Sequence, residues 1–413
     1  MPIPNDLLTM EVFFMKLKLA VLFGGKSVEH EISVISALQA VAALDREKYD
    51  VLPVYMTKDG RWYIGEHVGE LAAYKNIPKL LAASREVLPA RVDGKAVLLR
   101  QPPKGFGSPV LAQIDAVFPI VHGTNVEDGA LQGLLRLLGV PFVGCDVTAA
   151  AIGMDKFAQK ALFRAAGVPV LDALVLRQSE YDADMDAALA RVTERFGFPV
   201  IVKPVNLGSS VGIGKASDDA ALRRALELAF RFANRVLVEP AVPNLREINC
   251  AVLGDGDAAR ASVCEEPLNA DGILSYENKY LSGGKGSRAK ASVKGVPAAG
   301  GAKGMASLER RIPAEIPEEL ERRIQAYALQ AFQALDAGGV ARIDFLMDGQ
   351  TGEVWLNEIN TVPGSLSFYL WEPSGVPYPQ LLDEMLRLAF RRARAQEDLS
   401  FSFDTNVLAD AKI

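Results

Sequence analysis

Four residues in the last quarter of the chain have the types and spacing to handle a polyanion. Arg342 and Asp344 are two apart, as are Glu358 and Asn360, within GGVARIDFLMDGQTGEVWLNEINTVPG (338–364). Strand side chains alternate between faces, so each pair shares a face if its segment is a strand. Two carboxylates and an amide oxygen are hard ligands, of the kind Mg²⁺ takes together with phosphate oxygens and water. The Arg342 fork suits a phosphoryl or carboxylate group. The same pattern also describes a solvated sheet face with cross-strand ion pairs. The loop that follows, Thr361-Val362-Pro363-Gly364, favours a site, because function concentrates on loops held by a rigid scaffold.

Three other stretches carry candidate chemistry. Lys203 in FPVIVKP precedes VNLGSSVGIG (205–214), where backbone N–H groups and the Ser209 and Ser210 hydroxyls suit close approach to phosphate. The spacing is not that of a Walker A loop, and a Gly-Ser loop is also an ordinary turn. Glu29 and His30 follow KLAVLFGGKS, at the carboxyl end of a strand, where α/β sheets bind ligands. Glu29 also fits a simple complement to a helix dipole. His122 opens HGTNVEDG (122–129), a Gly-bounded polar loop directly after the apolar run AVFPIV.

The elements beneath these residues follow from periodicity and turn chemistry. The spacing predicts a hairpin, Val340–Met347 and Glu353–Ile359, turned by Asp348, Gly349 and Gly352. Ile343, Phe345, Met347, Trp355 and Ile359 then face a core, and Arg342, Asp344, Glu358 and Asn360 face the other way. Upstream, a strand (Lys18–Phe23), a Gly-Gly turn, a helix to Ala43 with Ser27 as its N-cap and a strand (Tyr49–Met56) open an α/β domain. Residues 57–110 show only weak alternation. Ala116–Val121, a helix Ala130–Leu138 and a strand Val140–Val143 close that domain. An α+β unit over 150–240 follows: a helix Met154–Ala166, a strand from Val170, a helix Asp182–Phe196, a strand Phe198–Pro204, a helix Asp218–Arg231 and a strand Arg235–Glu239. Strands Glu247–Leu253 and Ala259–Cys264 come next. The basic, Gly/Ala/Ser-rich stretch 282–311 reads as either a mobile lid or a disordered insertion.

Composition sets the outer bounds. A chain of 413 residues exceeds one typical core. Its net charge of −6 argues against a nucleic-acid surface. Three cysteines are too few and too scattered for a disulfide framework or a zinc site, and they fit a reducing cytoplasm. Three histidines exclude a His-rich metal centre. No apolar run reaches the roughly 18 residues that span a bilayer. Residues 1–14 read as an extension ahead of Met15.

Taken in order, FGGKSVEHEIS, HGTNVEDGALQG, PFVGCDVTAAAIGMDK, IVKPVNLGSSVGI, LVEPAV with REINCAVLG, YENKYL, ARIDF and LNEINTVPGS resemble the motifs of the D-alanine–D-alanine ligase family of the ATP-grasp superfamily, from about Lys16 to Pro377. The resemblance implies a three-domain ATP-grasp fold of α/β and α+β type. It comprises an N-terminal Rossmann-like domain (15–147), a central subdomain (148–241) and a C-terminal subdomain (242–413) with a lid region (270–311). It implies ATP-dependent joining of two D-alanines through an acyl phosphate, for peptidoglycan precursor synthesis. Lys156, Lys203 and Ser210 would hold ATP phosphates, with Lys279 on the γ-phosphate. Glu239 and the backbone after it would read adenine, and Glu247 the ribose. Asp344, Glu358 and Asn360 would bind two Mg²⁺, or Mn²⁺. Arg342 and Gly364 would stabilise the transition state. Glu29 would hold the first D-alanine's ammonium, with His122 nearby, and would link to Ser209 and Tyr280. A cytoplasmic homodimer formed through the first domain is implied, with neither nucleic acid nor membrane as partner.

Two departures from the family pattern bear on these expectations. Val126 stands where glycine is expected. After Gly364 the chain reads Ser365-Leu366-Ser367-Phe368-Tyr369 in place of a Thr/Ser-rich stretch whose hydroxyl helps bind the second substrate's carboxylate. That leaves Ser367 or Tyr369 as substitutes and keeps D-serine and D-lactate open as acceptors. The rival classes are a non-catalytic nucleotide-binding module and a phosphotransferase that stops at phosphoryl transfer.

Overall fold

The run LKLAVLFG is apolar enough to be covered on both faces, and it forms the centre of the first sheet. The computed structural model describes residues 16–103, 107–268 and 310–400. The sheet contains β1 (Leu17–Gly24), β2 (Tyr49–Met56), β3 (Trp62–Ile64), β4 (Arg85–Val92), β5 (Lys95–Gln101), β6 (Val110–Ile114) and β7 (Ala116–Pro119), in spatial order 6-5-4-3-2-1-7. β1 is parallel to β2 and β7. The remaining neighbours are antiparallel. Residues 57–110, which carried little periodicity, therefore build an antiparallel extension of a short Rossmann-like centre. β4 is mostly half-buried or exposed, which explains its weak apolar signal. Val140–Val143 is not a strand, and only Phe142 bridges to Val117.

The second sheet takes β8 (Leu174–Arg177), β9 (Val200–Pro204), β10 (Gly214–Ala216) and β11 (Arg235–Pro240), in order 10-9-11-8 and antiparallel throughout. The helix expected from Met154 starts at Lys156, where Asp155 accepts from the N–H groups of Phe157 and Ala158 at 3.0 and 2.9 Å. A separate helix, Val147–Met154, precedes it. Val170 does not begin a strand; it makes a single bridge to Leu356. The helix expected over 182–196 divides at Asp184, which caps Met185–Phe196 by accepting from Ala187 N–H.

The third sheet contains β12 (Leu245–Asp255), β13 (Arg260–Pro267), β14 (Arg310–Arg311), β15 (Gly338–Asp348) and β16 (Val354–Asn360), in order 14-13-12-15-16. The helix Glu318–Ala334 covers one face through Ile324, Ala328, Ala331 and Phe332. The C-terminal helix Tyr378–Glu397 does not make a core of its own. Its Leu381, Leu382 and Met385 join Leu19, Val21 and Phe23 of β1, Val34 and Leu38 of the helix His30–Ala43, and Leu366 and Leu370, in one apolar cluster. Each fully covered Leu or Val contributes about 1.5–3 kcal/mol. This shared core holds the segment after Gly364 against the first domain. Residues 1–14, Lys279, Tyr280 and the lid region up to residue 309 lie outside the described residues.

Candidate active site

The hairpin supplies the first wall. Arg342 pairs with Asn360, and Asp344 with Glu358, so the four polar side chains share one face as the spacing predicted. A bulge after Asp344 then shifts the register, and Phe345 pairs with Leu356. The extra residue reverses the inward side of β16, so Val354 and Leu356 are buried while Trp355 is only half-buried. Trp355 is therefore not a core residue, contrary to the alternation. Arg342 donates to both Asp344 oxygens, at 2.6 and 2.7 Å, and Asn360 Nδ2 donates to Asp344 at 3.0 Å. Burial works against the Arg342 charge, but the Asp344 carboxylate beside it holds the guanidinium firmly protonated. Asn249 and Glu247 occupy the same face on β12, with Asn249 directly opposite Asp344.

The second wall is cationic. Lys156 Nζ lies 3.1 Å from Glu358 and donates to Leu207 O at 2.7 Å. Lys203 Nζ donates to Asn357 Oδ1 at 2.9 Å. Glu239, 1% exposed, is shared by Lys203 and by Lys160, the latter at 3.0 Å. Burial alone would raise the Glu239 carboxyl, but the two lysines depress it below its ordinary value. Its side chain thus serves as the shared counter-ion of the two lysines.

The third wall is made of loops. Ser27 Oγ accepts from the Glu29 N–H at 3.0 Å, and the helix begins at His30, so Ser27 orders the entry without being the N-cap itself. Ser209 donates to Glu29, and a Cβ on Gly208 would sit 2.5 Å from Glu29 Oε2, so this approach requires glycine. Ser209 and Ser210 both have left-handed backbones, with φ of 53° and 59°. Val126 is buried against Gly25, where any Cβ would meet it at 2.5 Å, and Asn125 carries the positive φ of that turn. The valine thus fits the loop as a packing residue. Glu127 accepts from the N–H groups of Gly123 and Val362, at 3.0 and 2.8 Å, and from Thr361 Oγ1 at 3.2 Å. Burial, then the neighbouring Glu29, push it up to about 8 against these bonds. Burial pushes His122 down to about 4, so its ring is neutral.

Glu29, His122, Lys156, Ser209, Arg342, Glu358, Asn360 and Gly364 line one narrow cavity of about 60 Å³. Asp344 joins them through Arg342 and Asn360. Lys203, Glu239, Ser210 and Glu247 stand outside its lining; Lys203 bonds Asn357, next to Glu358, and Glu239 pairs with Lys160, next to Gln159. Glu127, Gln159, Lys160 and Asn357 were missed from sequence. Gln159 and Lys160 carried a signal, since they lie three and four positions after Lys156 on one helix face. Ser367 is fully buried. Tyr369 donates to Glu265 at 3.4 Å and lies under the Arg310 guanidinium at 4.0 Å.

Comparison with known proteins agrees with this arrangement. Family models described as D-ala D-ala ligase N-terminus and C-terminus match residues 18–145 and residues 162–297 with 302–387. A D-alanine–D-alanine ligase of Acetivibrio thermocellus is 37% identical over 91% of this chain and 96% of its own length. A D-alanine–D-alanine ligase A of Chromobacterium violaceum is 40% identical over 94% and 99%. The solved D-alanine-D-alanine ligase from Coxiella burnetii superposes with a TM-score of 0.73 at 32% identity, covering 92% of this chain and 96% of that one. The VanG D-Ala:D-Ser ligase from Enterococcus faecalis superposes with the same TM-score at 29% identity, covering 91% and 100%. With matched motifs, matched sheets and relatives aligned along nearly their whole length, the chain belongs to the D-alanine–D-alanine ligase family.

Proposed function

We propose that this protein joins two D-alanine molecules to D-alanyl-D-alanine, converting ATP to ADP and phosphate. The observation that carries the reading is the convergence of Glu29, near the start of the chain, with Arg342, Glu358 and Gly364, near its end, on one cavity. A carboxylate is a poor acyl donor, so the first D-alanine's carboxylate oxygen attacks the γ-phosphorus and the bond to ADP breaks. The amine of the second D-alanine, having lost a proton, attacks the acyl carbon, and the carbon–oxygen bond to phosphate breaks.

Charge builds on oxygen in both steps. Lys156 and Lys203 would hold the polyphosphate, and Arg342 and the Gly364 N–H would meet the developing oxyanion. Glu29 would hold the donor ammonium. Among the described residues no group of three or more His, Cys, Asp or Glu gathers around a metal position. Two carboxylates with one carboxamide nevertheless suit Mg²⁺, which takes few protein ligands beside phosphate and water. Asp344, Glu358 and Asn360 would hold it, and it would neutralise charge on the transferred phosphoryl group. Lys279 and Tyr280 keep their assignment on the family resemblance alone.

The three sheets support three domains, 15–147, 148–241 and 242–413. All three cysteines are free and buried, in keeping with cytoplasmic work. No described helix is long and apolar enough to cross a membrane. A homodimer through the first domain rests on the resemblance, and light scattering checks it. The test of function is phosphate release with ATP, Mg²⁺ and D-alanine, with and without D-serine or D-lactate, and products identified by mass spectrometry. D-alanyl-D-alanine as the main product is expected. A mixed D-serine or D-lactate product in its place would move the acceptor assignment, and no release would refute the substrate.

A further inference from the structure

The turn that carries Gly364 is costly. Ser365, Leu366 and Ser367 all have left-handed backbones, with φ of 52°, 50° and 50°. None is a glycine, and each such residue costs roughly 1–2 kcal/mol relative to a right-handed conformation. A turn like this persists only if its surroundings over-determine it. Leu366, 1% exposed, is anchored in the shared core. The polar anchor is a residue that no motif singled out, Ser36, on the helix His30–Ala43 and 1% exposed.

Ser36 Oγ accepts the Ser365 N–H at 3.0 Å and lies 3.2 Å from His122 Nε2. The Ser36 hydroxyl thus bridges the His122 ring and the Ser365 backbone. The His122 ring also meets the Val362 backbone. Val362 and Ser365 flank Pro363-Gly364, so one serine–histidine pair grips the turn on both sides. Glu127 takes the remaining Val362 N–H.

We propose that Ser36 is a positioning residue for the ligation step: by accepting the Ser365 amide and orienting His122, it aims the Gly364 N–H at the oxygen that gains charge when the second amino acid attacks. This rests on the ligase reading and on Gly364 as a donor in that step. Acyl phosphate formation, which depends on the sheet and the lysines, should not need Ser36. If attack by the amine slows, water takes the acyl group and returns D-alanine and phosphate.

The test measures inorganic phosphate and dipeptide in the same reaction. Wild type should give one phosphate per dipeptide. Ser36→Ala should raise that ratio to about three or more, lower dipeptide kcat roughly 10- to 100-fold, less than the roughly 100- to 1000-fold of a removed oxyanion donor because the Gly364 N–H is misaimed rather than lost, and leave the ATP KM within about twofold. Ser36→Thr, which restores the hydroxyl, should bring the ratio back toward one. Partial unfolding lowers both products together and cannot raise the ratio. A ratio of one in Ser36→Ala, at any rate of turnover, overturns the proposal. Should Ser36→Ala not fold, Ser36→Cys, with its weaker donor, is held to the same ratio. A wild-type enzyme that makes no dipeptide overturns the underlying ligase reading and the proposal with it.

Discussion

On its sheet side the cavity is lined by charges whose places follow from strand register. Arg342, Asp344, Glu358 and Asn360 sit where two-residue spacing and an antiparallel pair put them, and ion pairs hold them there. On its loop side the cavity is lined by groups whose places follow from contacts far apart in sequence. Glu127 reaches Val362, His122 reaches Ser36, and Ser36 reaches Ser365. The sheet side holds charge that is present before any ligand arrives. The loop side holds a neutral imidazole and a carboxyl with a raised pKa. The contrast suggests a division of labour, with charge stabilisation on the sheet and geometry on the loops.

The largest expected effect tests the sheet side. Arg342→Ala should lower turnover on the order of 10⁴-fold, the scale of a lost arginine that faces a transferring phosphoryl group. Its ATP dissociation constant by calorimetry should stay within about threefold, and near-normal turnover would end the assignment. Next, Glu239→Gln leaves Lys160 and Lys203 buried without their counter-ion. Stability should fall by about 3–4 kcal/mol, with saturating ATP recovering part of it. An unchanged thermal midpoint would show that the pair of lysines does not depend on Glu239.

The loop side is sharpened by pH. His122 titrates near 6.5 unfolded and at about 4 folded. As pH falls through that window the unfolded chain takes a proton the native state refuses, so stability drops by about 3 kcal/mol and levels off below the folded value. Glu127 works the other way, because the native state keeps a proton up to about 8 that the unfolded chain has lost near 4.5. Denaturant unfolding of His122→Gln should therefore lack the acid-side loss. Profiles parallel to wild type would refute the buried neutral imidazole. The smallest effect is Thr361→Val, which removes one bond to Glu127 and should cost about 1 kcal/mol, with kcat changed less than threefold. A large kcat loss there would mean the loop side carries more than geometry.

The same contrast explains what could be read from the sequence. β1, β2, the helix Ala130–Leu138 and the hairpin announced themselves by apolar runs and glycine turns within a few residues. Residues 57–110 did not, because an antiparallel extension with half-exposed strands carries little periodic signal. The bulge after Asp344 could not be read either, and it misplaced Trp355. Sequence order also could not reveal that Gln159 accepts the Ile359 N–H at 3.1 Å, or that Ser36 meets Ser365. Such pairs are chosen by tertiary packing.

The two-residue strand at the edge of the third sheet is held by charge as well as by backbone pairing. β13 ends at Pro267, β14 begins at Arg310, and the two are paired, with Glu266 opposite Arg311 and Pro267 opposite Arg310. Glu265 bonds Arg310 at 2.6 Å, and Glu266 is shared by Arg246 and Arg311. Pro267 and Arg310 thus stand side by side although they are far apart in sequence. Both side chains of the Glu265–Arg310 pair are buried. A neutral residue at position 265 would therefore leave a buried charge short of a counter-ion and loosen this edge before the strands it borders.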